Sequence, residues 1–238
     1  MRLDQAIAQR FPQHSRRKAR ELIAARRVLV NDRPVAVASR EVADSDRIVV
    51  VDESTPFDII RENPNWVGVN KPAGLPTQPP ADRSVRSLEE LLRLKYGELY
   101  LIHRLDTPAS GIVLFARTRQ YAARLSELFA NRAVRKIYLA RSAGAGAITS
   151  ELTIDSPIDG KEAITIVRPR KGDLIEIEIK TGRTHQIRRH LASIGQPLDG
   201  DRRYGGRAAP RLMLHAWKLD LIEVGELVAP PPDSLGPL

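Results

Sequence analysis

Five consecutive apolar residues, Ile112 to Ala116, follow directly on a polar stretch, His103 to Gly111. A run with no alternation reads as a strand buried on both faces. The polar stretch is therefore a loop entering the interior of a sheet, and its charges must find partners there. Other segments read as strands at Trp66 to Asn70, Lys136 to Ala140 and Leu212 to Leu219. From Asp173 to Lys180 the pattern alternates, Ile175, Ile177 and Ile179 facing one way and Glu176, Glu178 and Lys180 the other. That pattern predicts a half-buried strand with one wet face.

Helical spacing runs through Ser87 to Lys95. Thr118 can cap a helix to about Asn131 whose core face carries Tyr121, Leu125, Leu128 and Phe129. Thr184 can cap another, with Ile187, Leu191 and Ile194 inward and Gly195 as its stop. Helices and strands do not alternate regularly, so the pattern favours an α+β fold over a doubly wound sheet. No internal repeat is visible, and the Pro-rich tail from Val228 reads as loose.

The first fifty residues form a separate pattern. Leu3, Ile7 and Ala8 mark a short helix, and Ser15 can cap a second with Ala19, Leu22 and Ile23 on its apolar side. Arg16, Arg17, Lys18 and Arg20 occupy the rest of that helix. Val28 to Val30 and the segment from Pro34 read as strands around an Asn31-Asp32 turn, closed by a strand at Ile48 to Val51. The organisation expected is a small domain at 1–52, a linker at 53–63 and a large domain at 64–238.

Lys and Arg number 38 against 29 Asp and Glu, a net charge of +9 that favours a polyanionic partner. Charge alone does not separate RNA from DNA or from an anionic surface. The absence of cysteine excludes disulfides, thiolate catalysis and Cys-based metal sites. No apolar stretch is long enough to span a bilayer and no signal peptide is visible, so a cytoplasmic location is expected.

Two polar segments could carry chemistry. The first is His103-Arg104-Leu105-Asp106 with Ser110-Gly111. Read by residue type alone, it is equally a capped turn with a surface Arg-Asp pair. The second is Lys180 to Arg188, a strand-to-helix junction with Gly182 in the turn. Its backbone N–H groups, with Arg183 and Arg188, would attract an anion, although an ordinary turn with solvated arginines reads as well. His185 and His190 are spaced i, i+5, off a common helix face and without a zinc-protease Glu, so no metal site is expected. Ser110 lacks a nucleophile-elbow pattern, and no Gly-rich phosphate loop suggests ATP or NAD.

Taken together the motifs are far more specific. Val69-Asn70-Lys71-Pro72-Ala73-Gly74-Leu75 is followed by His103 to Asp106 with Ser110-Gly111, then by Arg135-Lys136-Ile137-Tyr138-Leu139-Ala140. Thr181 to Arg188 comes next, and then Leu212 with Leu214-His215-Ala216. In this order they resemble the RluA-type pseudouridine synthases, which modify large-subunit ribosomal RNA and some transfer RNAs. Where that family usually has Thr before the Ser-Gly, this chain has Ala109. Residues 1–52 resemble the RNA-binding domain named for ribosomal small-subunit protein four, through Arg2-Leu3-Asp4, Ser15-Arg16, Leu22-Ile23 and Val28 to Asn31.

The resemblance implies a mixed, mostly antiparallel central sheet flanked by helices, and a cofactor-free isomerase acting on structured RNA as a monomer. It makes Asp106 the catalytic carboxylate, with Arg183 the cation that meets it across the cleft and opposes the protonation burial would cause. Tyr138 would pack on a flipped base, Leu212 would form the apolar wall, and Arg104 would reach into the RNA. His103, Lys71 and Arg188 would join the RNA contacts, Lys71 at a phosphate. Arg16, Arg17, Lys18 and Arg20 would hold phosphates from the small domain. A non-catalytic RNA-binding or ribosome-assembly protein on the same scaffold is the alternative. A DNA-binding module has only net charge in its favour, and a Ser110 hydrolase lacks its partners.

Overall fold

The computed structural model describes residues 1–24, 28–31, 33–50, 57–81 and 85–236. The chain divides into two compact units, one of Met1–Thr55 with Leu91–Gly97, the other of Pro56–Glu90 and Glu98–Leu238.

In the first unit, helices α1 (Leu3–Arg10) and α2 (Arg16–Ala24) accompany a three-stranded antiparallel sheet. Its strands are β1 (Val28–Val30), β2 (Arg33–Pro34) and β3 (Ile48–Val50), in the order β2-β1-β3. Leu3, Ile7, Ala19, Leu22, Ile23, Val28 and Val30 form one apolar cluster, and Ser15 Oγ accepts from the Lys18 N–H at 3.2 Å as the cap of α2. Asp32 of the expected turn lies outside the described residues.

Asp4 lies fully buried beside this core. Burial works against its charge, but Nε donors from Arg20 (2.9 Å), Arg16 (3.1 Å) and Arg2 (3.1 Å) outweigh it and hold its pKa at about 2. Two of the four cations expected to hold phosphates therefore also anchor their own helix. Arg17 is 90% exposed and pairs with Glu21 one turn on.

Among the described residues the second unit carries a ten-stranded mixed sheet, antiparallel at every pairing but one. Its strands are β4 (Asp58–Glu62), β5 (Trp66–Lys71), β6 (Tyr100–Leu101), β7 (Ser110–Ala116), β8 (Arg135–Arg141), β9 (Leu152–Ile154), β10 (Thr165–Pro169), β11 (Leu174–Ile179), β12 (Leu214–Leu221) and β13 (Gly225–Val228). The order along the sheet is β4-β5-β7-β12-β8-β11-β10-β9, with β13 on β12 and β6 on β7. Helices α4 (Arg119–Ala130) and α5 (Gln186–Ser193) belong to this unit, and α3 (Leu88–Tyr96) is divided between the two. Thr118 Oγ1 caps α4 by accepting from Tyr121 N–H at 3.2 Å, and Ser87 and Glu90 cap α3 reciprocally. The α+β class and mostly antiparallel sheet are as the residues and the resemblance implied. Among the described residues no helix is long and apolar enough to cross a membrane.

The exceptional pairing is parallel and lies at the sheet's centre, where Ser110 is level with His215 and Gly111 with Ala216. Gly111 sits at φ 114°, and a Cβ there would come within 2.3 Å of the Ala216 carbonyl oxygen. Only glycine allows this approach. Because β7 is buried along its whole length, the loop ahead of it, carrying Asp106, emerges from the middle of the sheet.

Four expectations need correction. The stretch read as a linker contains the edge strand β4, whose Asp58, Arg61 and Glu62 hid it; 53–56 lie outside the described residues. The face of β11 expected to be wet is buried, because Arg168 reaches Glu178 at 3.1 Å and Arg170 and Lys180 bond Glu176 and Glu178. Cationic stems from β10 and its neighbours lie over those glutamates in place of water. Helix α5 begins after His185, at φ 55°, and not at Thr184, while its expected inner residue Ile194 is 38% exposed. The tail is held: β13 extends to Val228, Ala229 N–H donates to Trp217 O at 2.9 Å, and Leu235 is buried.

Candidate active site

Asp106 stands four residues before β7, in the loop that the central parallel pairing fixes. Loop and strand are tied from below by Lys71, at the end of β5. Its side chain is fully buried, and Nζ donates toward Ala109 O (2.6 Å), Leu75 O (2.8 Å), Pro72 O (2.9 Å) and Thr107 O (3.3 Å). Burial pulls its pKa down to about 7, with Asp106 opposing, while the ring of carbonyls favours the ammonium. Lys71 is thus a clasp between two loops and not the phosphate contact expected of it. An ammonium enclosed by four carbonyls cannot reach a ligand.

The carboxylate's partner is also not the expected one. Arg188, on α5, places Nη1 3.0 Å from Asp106 Oδ2 and grips Asp201 with Nε (2.7 Å) and Nη2 (2.9 Å). Arg183 lines the same cavity but directs Nε to Glu162 O at 2.9 Å. The helical turn explains the exchange. Residue 188 lies on the inward face of α5 beside Gln186 and Ile187, whereas residue 183 precedes the helix.

Burial works against the Arg188 charge, but hydrogen bonds to Asp201 and Asp106 outweigh it and push its pKa up. At Asp201 burial is likewise outweighed by Arg188, and the carboxyl is held below its usual range. The Arg203 and Tyr204 amides add to Asp201 Oδ1 at 3.1 and 3.2 Å. Arg188 also lies over the Tyr204 ring, 5.1 Å from its centroid.

The junction before α5 is stapled by Gln186. Its Oε1 accepts from Thr181 Oγ1 (2.8 Å) and Arg183 N–H (3.0 Å), and its Nε2 donates to Ile164 O (3.0 Å). This fixes His185, whose Nδ1 lies 2.9 Å from the Tyr204 hydroxyl and Nε2 3.8 Å from Asp106 Oδ2. Burial pulls the His185 pKa down, so the ring is neutral near pH 7. His190, its partner in the metal pattern, is occupied by Thr165 Oγ1 and Ser156 O, both at 2.9 Å.

A cavity of about 210 Å³ opens above Asp106, between Tyr138, Ile179 and Leu214 on the sheet and Arg183 and His185 on the junction. Tyr138 is buried in β8, and burial, with the Asp106 carboxylate nearby, pushes its phenol pKa well up. The apolar wall is Leu214 with Ile179, whereas Leu212 is buried beside a neighbouring depression. Arg104 is exposed at the rim and borders both this cavity and the groove beside Gln78 and Pro79. His103 faces the fold. Its Nε2 accepts from Leu114 N–H at 3.2 Å and its ring stacks on Phe129 at 5.0 Å, so it is a neutral packing residue and not an RNA contact.

The sequence reading passed over Asp201 and Tyr204. The acid-glycine-acid turn Asp199-Gly200-Asp201 with Tyr204 three residues on was their only local signal. Ser110 Oγ does meet a histidine, His215 Nδ1, at 2.9 Å. Since His215 Nε2 must donate to Ala229 O at 3.1 Å, Nδ1 takes the serine proton. Both are buried in the sheet and neither lines the Asp106 cavity, so the pair joins β7 to β12.

Residues 65–193, which include Lys71, Asp106, Tyr138 and Arg188, match the family model described as RNA pseudouridylate synthase. The chain belongs to the RNA pseudouridylate synthase family. These enzymes are isomerases that convert uridine to pseudouridine in RNA. Residues 1–48 match the S4 domain model. Ribosomal large subunit pseudouridine synthase D of Escherichia coli K12 is 31% identical over 88% of this chain and 74% of its own length. The same-named protein of Haemophilus influenzae is 29% identical over 98% of this chain and 88% of its own. Among solved structures, human RNA Pseudouridylate Synthase Domain Containing 1 superimposes with a TM-score of 0.64 at 26% identity, over 75% of this chain and 86% of that one. The Asp106 cavity brings together a carboxylate, the arginine bonded to it and a flat aromatic side chain.

Proposed function

We propose that this chain isomerises uridines of structured large-subunit ribosomal RNA in the cytoplasm, acting as a monomer on a base flipped into the Asp106 cavity. The observation that carries the reading is the Asp106–Arg188 pair beside Tyr138 in that cavity.

The reaction breaks the bond from ribose C1′ to base N1, makes one from C1′ to C5, and moves the C5 proton to solvent and a proton to N1. Nothing is oxidised or reduced. Arg188 occupies Asp106 Oδ2, and among the described residues Oδ1 has no protein partner, so Oδ1 is the oxygen that acts on the substrate. A carboxylate in this role splits one difficult step into two. Tyr138, protonated at neutral pH, supplies a stacking face that tolerates rotation of the detached ring. Arg104 enters the RNA at the position the base leaves. Residues 1–52 position the RNA through the exposed stretch of α2, Arg17 foremost.

Tritium release from an unmodified large-subunit rRNA transcript labelled at uracil C5 tests this. The wild-type protein should release label. Asp106→Asn should lose on the order of 10³-fold or more while binding the RNA within about threefold. Appreciable release by Asp106→Asn would reject the assignment. Binding without release by the wild type would favour the RNA-assembly alternative.

A further inference from the structure

Beside the Asp106 cavity lies a second depression whose walls carry four arginines, Arg188, Arg202, Arg203 and Arg211, and one carboxylate, Asp201. That carboxylate is fully engaged, by Arg188 on both oxygens and by two backbone amides. Arg202 and Arg203 are exposed, and among the described residues neither makes an ion pair.

Arg211 is the unusual member. Nε donates to Ser234 Oγ at 2.9 Å, and Nη1 to Leu212 O at 3.0 Å and Ser110 Oγ at 3.1 Å. Among the described residues, buried Nη2 has no hydrogen-bond partner. Every described partner of this guanidinium is neutral, and burial pulls its pKa down. A half-buried cation with an idle N–H group costs stability unless something anionic completes it.

The backbone holds the rim residues close to this guanidinium. Gly200, at φ 76°, lies so close to Arg211 that a Cβ would fall 1.8 Å from its carbonyl oxygen. The turn carrying Asp201 to Arg203 is thereby pressed against the start of the Arg211 to Leu214 segment.

We propose that this depression binds a phosphodiester of the RNA strand adjoining the target nucleotide, with Arg211 as its buried anchor and Arg202 and Arg203 as its rim. The idle Nη2 of Arg211 can give charge-assisted hydrogen bonds to a phosphate oxygen. The location selects a strand phosphate over a free anion: Pro108, two residues beyond Asp106, and Arg188 wall both the depression and the groove beside the reactive carboxylate. A nucleotide whose base occupies the cavity brings its own backbone to that place. The site thus rests on the RNA reading above and adds a register point to it.

The test is the salt dependence of binding to the same unmodified rRNA transcript, for the full chain carrying Asp106→Asn so that no turnover intervenes. The double variant Arg202→Ala/Arg203→Ala should lower the slope of log K against log [KCl] by about 1.5 to 2. Arg211→Gln should lower it by about 1, whereas Lys171→Ala, removing an exposed charge on a different turn, should not. An unchanged slope in the double variant, or an equal loss with Lys171→Ala, overturns the site. Should Arg211→Gln not fold, the double variant decides alone. Since binding is read without isomerisation, failure here leaves the isomerase reading intact. Failure of tritium release by the wild type leaves this site standing as an RNA contact.

Discussion

Arg188 is shared between two carboxylates: it gives one N–H to Asp106 Oδ2 at 3.0 Å and two to Asp201, at 2.7 and 2.9 Å. The bidentate side is the buried one, so Asp201 sets where the guanidinium lies and Asp106 receives what remains.

Arg188→Lys should therefore be far more damaging than its charge conservation suggests. A lysine cannot serve both carboxylates in one plane. Tritium release should fall about 100-fold or more, against less than about tenfold for Arg183→Lys. A larger loss for Arg183→Lys would restore Arg183 as the partner of Asp106.

Asp201→Asn leaves Arg188 with one anionic partner in a buried setting. Removing one member of such a pair costs about 3 kcal/mol. Both tryptophans, Trp66 and Trp217, belong to the second unit, so urea unfolding followed by their fluorescence reports on it. The turnover rate should drop while RNA affinity holds, and Asp201→Glu should recover part of it. Unaltered turnover in Asp201→Asn would limit Asp201 to stability.

Tyr138→Phe keeps the ring and removes the hydroxyl. In the proposed reaction the Tyr138 hydroxyl also assists proton transfer, so RNA affinity should stay within about twofold and turnover should fall by on the order of 10-fold. Full turnover would restrict Tyr138 to packing against the base.

His215 is held neutral with its pKa pulled down by burial to about 4, against 6.5 for an unfolded histidine. Between those values the unfolded chain takes up a proton that the folded chain refuses. Stability present above pH 6.5 is thus lost as pH falls toward 4, by at most about 3 kcal/mol. Urea midpoints at pH 7.5 and 4.5 should differ less for His215→Gln than for the wild type. Equal differences would show that His215 does not govern this window.

The sequence announced the buried strand β7, the helix caps at Ser15 and Thr118, and the segments that meet at the cavity, because each is a local pattern of polarity. What it concealed was non-local. Glu176 and Glu178 look solvent-facing until Arg168 and Arg170 of another strand and its exit lie over them. Arg183 and Arg188 are equivalent on paper, and only the direction of α5 selects Arg188. Lys71 reads as a ligand contact because its four carbonyl partners belong to backbone, which no residue type reveals.

The close passage of Gly111 against Ala216 has a mechanical consequence. A strand wedged that tightly cannot slide, and the Asp106 carboxylate four residues upstream inherits its immobility. Any molecule that enters the cavity above Asp106 meets a fixed anion and must itself do the adjusting.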